Sequence, residues 1–182
     1  MNGYFKTMAE IYIFDFDDTL VRVSSTVKIV EIATGNVIQE YHPTHFFEFY
    51  EQKTEEFFFF VDSEHYTKLP FFNILREAAS KPDTITCICT ARYSPDGPVA
   101  ILQKENVHNV EVAAVGKQHK MMDADYLSKR KRAFVAKMIR KYKPEKVFFY
   151  DDSPRNLHQV GTLAERLKTK IILIDSTDYT VK

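Results

Sequence analysis

Residues 11–20 have the sequence Ile11-Tyr12-Ile13-Phe14-Asp15-Phe16-Asp17-Asp18-Thr19-Leu20, an apolar segment followed by closely spaced acids. Its first four residues are β-prone and apolar on both faces of a strand, which predicts a central strand of a parallel sheet. The strand then runs directly into a group of acids. Because open α/β sheets bind ligands outside the carboxyl ends of their strands, the stretch predicts a site as well as a core element.

The acids have a definite chemistry if the backbone stays extended. Asp15 and Asp17 are two residues apart and would then point to the same side. Two carboxylates at such a short distance repel each other unless a cation neutralises them or one of them holds a proton. The pair therefore favours a hard cation such as Mg²⁺. One carboxylate would remain available as a nucleophile. The alternative is a turn or helix-capping cluster, which an isolated Asp-x-Asp would favour.

The composition limits the class of protein. The 182 residues fit a single domain, and 25 Lys and Arg balance 25 Asp and Glu, so no global field selects a polyanionic partner. Cys87 and Cys89 lie on one predicted buried strand, where free cysteines pack as small hydrophobes, and a disulfide framework is not expected. The sequence shows no signal peptide and no apolar run of about 18 residues. We therefore expect a soluble, cytoplasmic protein without a membrane partner.

Strands alternate with helices along the chain, which predicts a three-layer, Rossmann-like α/β fold with a doubly wound parallel sheet. The expected strands of this sheet are about 11–16, 84–89, 110–115, 146–150 and 170–174. The expected helices are about 69–80, 98–106, 127–142 and 154–168. We expect a single domain over residues 1–182.

An insertion of about residues 21–68 is expected between the first strand and its helix. β-branched residues in 26–32 and in Val37–Tyr41 flank Thr34-Gly35-Asn36, which favours a turn with positive φ. The pattern predicts a β-hairpin flap that stands over the site.

The rest of the insertion is predicted less sharply. Thr44 follows Pro43 and could cap a short helix over about 45–56. The aromatic run 57–61 is interpreted as a buried strand or the base of a lid, with an aromatic surface for a base or a partner as the alternative.

Polar residues follow three of the predicted parallel strands at their carboxyl ends. Asp15 and Asp17 follow the first strand, Thr90-Ala91-Arg92 the second, and Asp151-Asp152-Ser153 the fourth. The carboxyl ends of parallel strands share one edge of the sheet, so we expect these residues to converge on one site. This agreement between separate segments favours a site over an isolated turn cluster.

These segments resemble the motifs of the haloacid dehalogenase (HAD) superfamily. The apolar strand with Asp15-Phe16-Asp17-Asp18-Thr19-Leu20 resembles motif one, and the strand that ends in Thr90 resembles motif two. A lysine at the start of the basic helix resembles motif three, and Val-Phe-Phe-Tyr-Asp-Asp at 147–152 resembles motif four. The resemblance spans about residues 11–156 and implies a minimally capped phosphatase. The segments at 90–92 and 151–156 are also similar to those of polynucleotide 3′-phosphatase domains.

The resemblance implies catalytic and metal-binding roles for the matching acids. Asp15 would be a nucleophile that forms an aspartyl-phosphate. Asp17 would protonate the leaving oxygen and later activate water. Asp152, aided by Asp151, would complete a Mg²⁺ site with Asp15 and the backbone carbonyl of Asp17.

Phosphate binding is implied for residues of motifs two and three. The Thr90 hydroxyl and the Ala91 N–H would donate to phosphoryl oxygens, and Arg92 would touch a second phosphate or the leaving group. Lys131 is the expected motif-three lysine, and Lys129 and Lys137 are the alternatives.

The substrate stays open at this stage between a nucleic-acid end, a nucleotide and another small phosphomonoester, with a phosphoprotein as a less favoured alternative. Residues 129–143 hold eight basic residues and no acid, and this stretch would border the site and could follow a phosphate backbone. A catalytically retired HAD-like binding or regulatory module is the alternative function. The complete set of acids disfavours it.

Overall fold

The computed structural model describes residues 10–41, 53–117 and 124–178. In chain order the strands are β1 (Glu10–Phe14), β2 (Val21–Glu31), β3 (Val37–Tyr41), β4 (Glu56–Lys68), β5 (Thr84–Thr90), β6 (Val110–Ala114), β7 (Lys146–Asp151) and β8 (Lys170–Asp175). The helices are α1 (Phe71–Ser80), α2 (Asp96–Lys104), α3 (Ala124–Tyr142), α4 (Pro154–Gly161) and α5 (Leu163–Leu167), and a 3₁₀ turn covers Ser176–Asp178.

Five strands form a parallel sheet in the order β6-β5-β1-β7-β8. The chain builds outward from β1 to β6 and then returns to the other side of β1 to add β7 and β8. The strand order therefore reverses beside β1, and doubly wound sheets form their ligand crevice at such a reversal. The expectation of an α/β fold with a Rossmann-like parallel sheet is confirmed.

Alternate residues of β1 supply two separate cores. Tyr12 and Phe14 pack with α1 and α2 on one face of the sheet, while Ile11 and Ile13 pack with α3, α4 and α5 on the other. Both faces of the central strand are thus covered by helices, as its continuous apolar sequence predicts. The buried ends of this strand and its neighbours give the polar residues that follow them a rigid base.

Cys87 and Cys89 lie on β5 in the second core, where both are buried and free. Burial raises the pKa of the Cys89 thiol to about 12, with repulsion from nearby carboxylates adding to the shift against the attraction of Lys131. The prediction that these cysteines serve as small core hydrophobes is confirmed.

The insertion forms a three-stranded antiparallel sheet in the order β3-β2-β4. The predicted hairpin is confirmed, since β2 pairs with β3 and Gly35 takes a φ of +69° in the turn between them. The aromatic run belongs to β4, which pairs with β2 from Val21 opposite Lys68 to Glu31 opposite Glu56. The strand interpretation of this run is therefore correct, and Phe58 is buried against Val27 and Ile29.

Charged contacts fix the base of this insertion to the main domain. Glu105, just after α2, accepts hydrogen bonds from Tyr66 Oη at 2.7 Å, Lys68 Nζ at 2.7 Å and Arg76 Nη2 at 3.1 Å. The hydrogen bonds from Lys68 and Tyr66 lower the pKa of this carboxyl. The two ends of the insertion meet beside the acidic loop, where the Leu69 N–H donates a hydrogen bond to Leu20 O at 2.9 Å.

Two predicted helices differ in the structure. The part of the 45–56 helix over 45–52 lies outside the described residues, but 54 and 55 form a turn and Glu56 begins β4. Pairing of the aromatic strand with β2 outweighs any local helical preference there. The helix predicted over 154–168 is broken into α4 and α5, with Thr162 Oγ1 donating to Gln159 O at 2.8 Å at the break.

Candidate functional site

Asp15 is the first residue after β1, at the reversal of the strand order. Its backbone N–H donates to Tyr150 O on β7 at 2.8 Å, so the backbone is still tied to the sheet where the carboxylate begins. The residue is only 6% exposed. A carboxylate that is buried at this depth needs a charged partner.

Lys131 supplies that partner from the middle of α3. Its Nζ lies 2.7 Å from Asp15 Oδ1 and 2.8 Å from Asp151 Oδ2, and the residue is 1% exposed. Lys129 and Lys137, the two alternatives from the sequence, are exposed on other faces of the same helix. Of the three candidates, the structure brings Lys131 to the acids.

Asp151 uses both of its carboxylate oxygens. Oδ2 accepts from Lys131, while Oδ1 accepts from Ser153 N at 3.0 Å and from Asn156 Nδ2 at 2.8 Å. The residue is fully buried at the end of β7. Three donors thus hold this carboxylate in one orientation, and it in turn orients Lys131.

Asp15, Lys131 and Asp151 form a buried group in which negative charge exceeds positive charge when both acids are ionised. Burial raises the pKa of Asp15 well above its ordinary value, and repulsion from Asp151 adds to this against the attraction of Lys131. Burial alone would lower the pKa of Lys131, but the charges of Asp15 and Asp151 outweigh it and raise that pKa. The lysine is therefore charged at neutral pH, and this one cation contacts two acidic side chains.

Asp152 adds a third carboxylate to the cluster. Oxygens of Asp15, Asp151 and Asp152 lie within 4.8 Å of one another. Burial, with repulsion from Asp151, raises the pKa of Asp152. When all three acids are ionised, they and the Lys131 ammonium carry a net charge of −2, and the carboxylate oxygens are hard donors, so the residues are chemically suited to a hard divalent cation.

The loop after β5 is held tightly against the end of β6. Val115 N donates to Thr90 O at 2.9 Å, and Gly116 N donates to Arg92 O at 2.9 Å. Thr90 is fully buried and its Oγ1 accepts from the Arg92 N–H at 3.2 Å, while Ala91 is exposed at the tip. The loop therefore presents its residues at the same edge as Asp15.

The side chain of Arg92, for which the sequence predicted contact with a second phosphate or the leaving group, lies against Asp17. Its guanidinium donates two hydrogen bonds to the Asp17 carboxylate, from Nε to Oδ2 at 2.8 Å and from Nη2 to Oδ1 at 2.5 Å. The guanidinium carbon also lies 5.1 Å from the centre of the Phe16 ring. Among the described residues, the Asp17 carboxylate lies outside the cluster of acids that could hold a metal.

The remaining residues of the acidic loop shape its surroundings. Asp18 has a φ of +56° and pairs with Arg22 at 3.2 Å, while buried Thr19 shares a hydrogen bond of 2.9 Å with Ser176 Oγ. These residues line a pocket of about 360 Å³ that Asp152 also borders. Sequence reasoning missed Ser176, although its position at the carboxyl end of β8 is a signal of the same kind as the others.

No protein-family model, curated protein or solved structure matches the chain. Within the described ranges, no helix combines the length and apolar character needed to cross a membrane.

Replacing Lys131 with Met should destabilise the protein strongly, because two buried carboxylates would lose their shared cation. We expect a loss of about 3–5 kcal/mol in the free energy of unfolding, measured by urea denaturation at pH 7 in EDTA. Lys129→Met and Lys137→Met remove the same charge from exposed positions and should change it by less than about 0.5 kcal/mol. Equal losses in all three variants would contradict the buried ion-pair network.

Asp15→Asn should change how stability depends on pH. Between the ordinary carboxyl pKa of about 4 and the raised pKa of folded Asp15, the folded protein binds a proton that the unfolded chain releases. The free energy of unfolding of the natural protein should therefore fall, relative to Asp15→Asn, as pH rises through this range. Urea denaturation of both proteins in EDTA from pH 4 to 8 measures this, and parallel pH profiles would count against it.

Gly116→Ala should disturb the loop that carries Arg92. A Cβ at Gly116 would lie 2.3 Å from Ala91 O and 2.8 Å from Arg92 O, so backbone atoms must move. We expect a loss of about 1–3 kcal/mol in urea denaturation. Gly35→Ala is the matched control, since a Cβ there meets nothing within 4 Å and adds only the strain of positive φ, roughly 1 kcal/mol. A smaller loss for Gly116→Ala than for Gly35→Ala would show that the loop backbone can move to accommodate the Cβ at little cost, and would contradict this prediction.

Proposed function

We propose that this protein is a Mg²⁺-dependent phosphomonoester hydrolase of the HAD type that works through an aspartyl-phosphate on Asp15. The observation that carries the proposal is the buried Asp15–Lys131–Asp151 network beside Asp152, at the reversal point of a parallel sheet. It unites residues that the sequence matched to motifs one, three and four. Lys131 compensates at most one of the three carboxylates, so a divalent cation would offset the remaining negative charge.

The chemistry follows from the placement of the carboxylates. Asp15 would attack the phosphorus atom, forming an oxygen–phosphorus bond as the bond to the leaving alcohol oxygen breaks. Lys131 contacts Asp15 directly and would offset negative charge on the transferring group. In the second step, water attacks the phosphorus of the aspartyl-phosphate, which releases inorganic phosphate and restores the Asp15 carboxylate.

Asp15 and Asp152 would hold the Mg²⁺ ion, and Asp151 would complete or orient the set. The ion would supply positive charge that lets an anionic phosphate approach an anionic nucleophile. Asp151 acts mainly by orienting Lys131, because both of its oxygens already accept hydrogen bonds.

Asp17 would move the protons. Its side chain is 43% exposed and is held by Arg92 at the same edge as Asp15. It would give a proton to the leaving oxygen and take one from the attacking water. Thr90 and Ala91, in the neighbouring loop, would donate to the phosphoryl oxygens.

The substrate we propose is a phosphomonoester on a nucleic-acid end or a nucleotide. Lys131 faces inward, but Lys129 and Lys137 are exposed on α3 and could follow a phosphate backbone. Tyr126, early in α3, has Lys117 Nζ at 5.4 Å and the Arg130 guanidinium at 5.8 Å from its ring centre. The two cations beside this ring would add positive charge for a nucleotide phosphate.

Phosphate release from a substrate panel tests this function. The panel holds a 3′-phosphorylated oligonucleotide, nucleoside monophosphates, sugar phosphates and a phosphoserine peptide, each with Mg²⁺ and with EDTA. We expect Mg²⁺-dependent release, fastest from the oligonucleotide or the nucleotides. Asp15→Asn should lower kcat/KM by more than about 10³-fold, because the attacking oxygen is lost.

Asp96→Asn is the matched control, since Asp96 is an exposed acid in the first turn of α2, outside the acidic cluster. It should keep activity within about twofold of the natural protein. Turnover by Asp15→Asn at the natural rate would eliminate the covalent mechanism. No release from any substrate, with divalent-cation binding intact, would favour the HAD-like binding or regulatory module instead.

A further inference from the structure

Several contacts fix both the backbone and the side chain of Arg92. Its carbonyl accepts from Gly116 N at 2.9 Å, and its N–H donates to Thr90 Oγ1 at 3.2 Å. Its guanidinium lies over the ring of Phe16, which is fully buried. Both ends of this flexible residue are therefore fixed before its contact with Asp17 is considered.

The Arg92–Asp17 contact is bidentate, so it fixes the orientation of the Asp17 carboxylate as well as its distance. Both oxygens of Asp17 face the guanidinium, at 2.8 Å and 2.5 Å, across 75 positions of sequence. A planar fork facing a carboxylate allows one relative orientation, whereas a lysine would act as a point charge. The arrangement holds the Asp17 carboxylate toward the loop after β5.

This direction matters because Asp17 lies two residues from Asp15 in a group already rich in negative charge. Oxygens of Asp15, Asp151 and Asp152 come within 4.8 Å of one another, and the Asp17 carboxylate is not among them. A divalent cation would attract a fourth nearby carboxylate if nothing else held it. Asp17 would then be lost as a proton carrier.

We propose that Arg92 is a positioning residue that keeps the Asp17 side chain out of the metal cluster and available for proton transfer. The proposal rests on the proposed function for the second of these consequences, and on the geometry alone for the first. It assigns Arg92 a role through Asp17, in place of the direct phosphate contact expected from the sequence.

A double-mutant cycle on cation binding tests the first consequence without any turnover. Affinity for Mn²⁺, as a spectroscopic stand-in for Mg²⁺, is measured for the natural protein, Arg92→Gln, Asp17→Asn and the double variant. We expect Arg92→Gln to bind Mn²⁺ on the order of tenfold more tightly, because Asp17 becomes a ligand. In the Asp17→Asn background, the same change should alter affinity by less than about threefold.

Arg92→Lys separates charge from geometry. It keeps the positive charge near the cluster but lacks the planar fork, so it should also tighten Mn²⁺ binding when Asp17 is present. Equal tightening by Arg92→Gln with and without Asp17 would show simple charge repulsion and overturn the proposal. Unchanged Mn²⁺ affinity in folded Arg92→Gln and Arg92→Lys, checked by circular dichroism, would overturn it as well.

Turnover on the best substrate of the panel tests the second consequence. A positioning role predicts that Arg92→Gln lowers kcat by about tenfold or more and leaves KM within about threefold. A large rise in KM with unchanged kcat would show that Arg92 binds substrate phosphate directly, and would overturn the proposal. If no variant and no natural protein hydrolyses any substrate, the proposed function fails, while the Mn²⁺ cycle still decides whether Arg92 positions Asp17.

Discussion

One buried ammonium holds the ends of two strands together. Lys131 reaches from α3 to Asp15 after β1 and to Asp151 at the end of β7, at 2.7 and 2.8 Å, and all three residues are buried. Because an unpaired buried charge is costly, this contact fixes the rotation of α3 as well as the two carboxylates. The loops that carry Asp17 and Asp152 leave the sheet from these same two ends.

The acids at this edge have different surroundings, and their proposed roles follow from the difference. Asp151 is fully buried with every oxygen bonded, which suits a supporting group. Asp15 is buried between Lys131 and two further acids, Asp151 and Asp152, which suits a nucleophile that works with a metal ion. Asp17 is the most exposed of the three and is held by Arg92, which suits a group that exchanges protons with substrate and water.

Much of this arrangement is predictable from sequence, because parallel strands place their carboxyl ends on one edge. That rule predicts that Asp15, Thr90 and Asp151, which come from three separate segments, lie at the same edge of the sheet. The rotation of a helix is harder to predict, so Lys129, Lys131 and Lys137 stayed alternatives until packing turned Lys131 inward. The Arg92–Asp17 pair also escaped prediction, since it joins side chains 75 positions apart whose directions depend on the Phe16 ring and on Gly116. Likewise, only tertiary pairing with β2 shows that the aromatic segment continues as the long strand β4.

The most direct measurement is chemical trapping of the covalent intermediate. The protein is incubated with Mg²⁺ and a small phosphoryl donor such as acetyl phosphate, then treated with borohydride, which converts an aspartyl-phosphate to homoserine. Mass spectrometry of the peptides should place homoserine at position 15, and only when both Mg²⁺ and the donor are present. Homoserine at another aspartate, or none at position 15 under conditions in which phosphate is released, would contradict a nucleophilic role for Asp15.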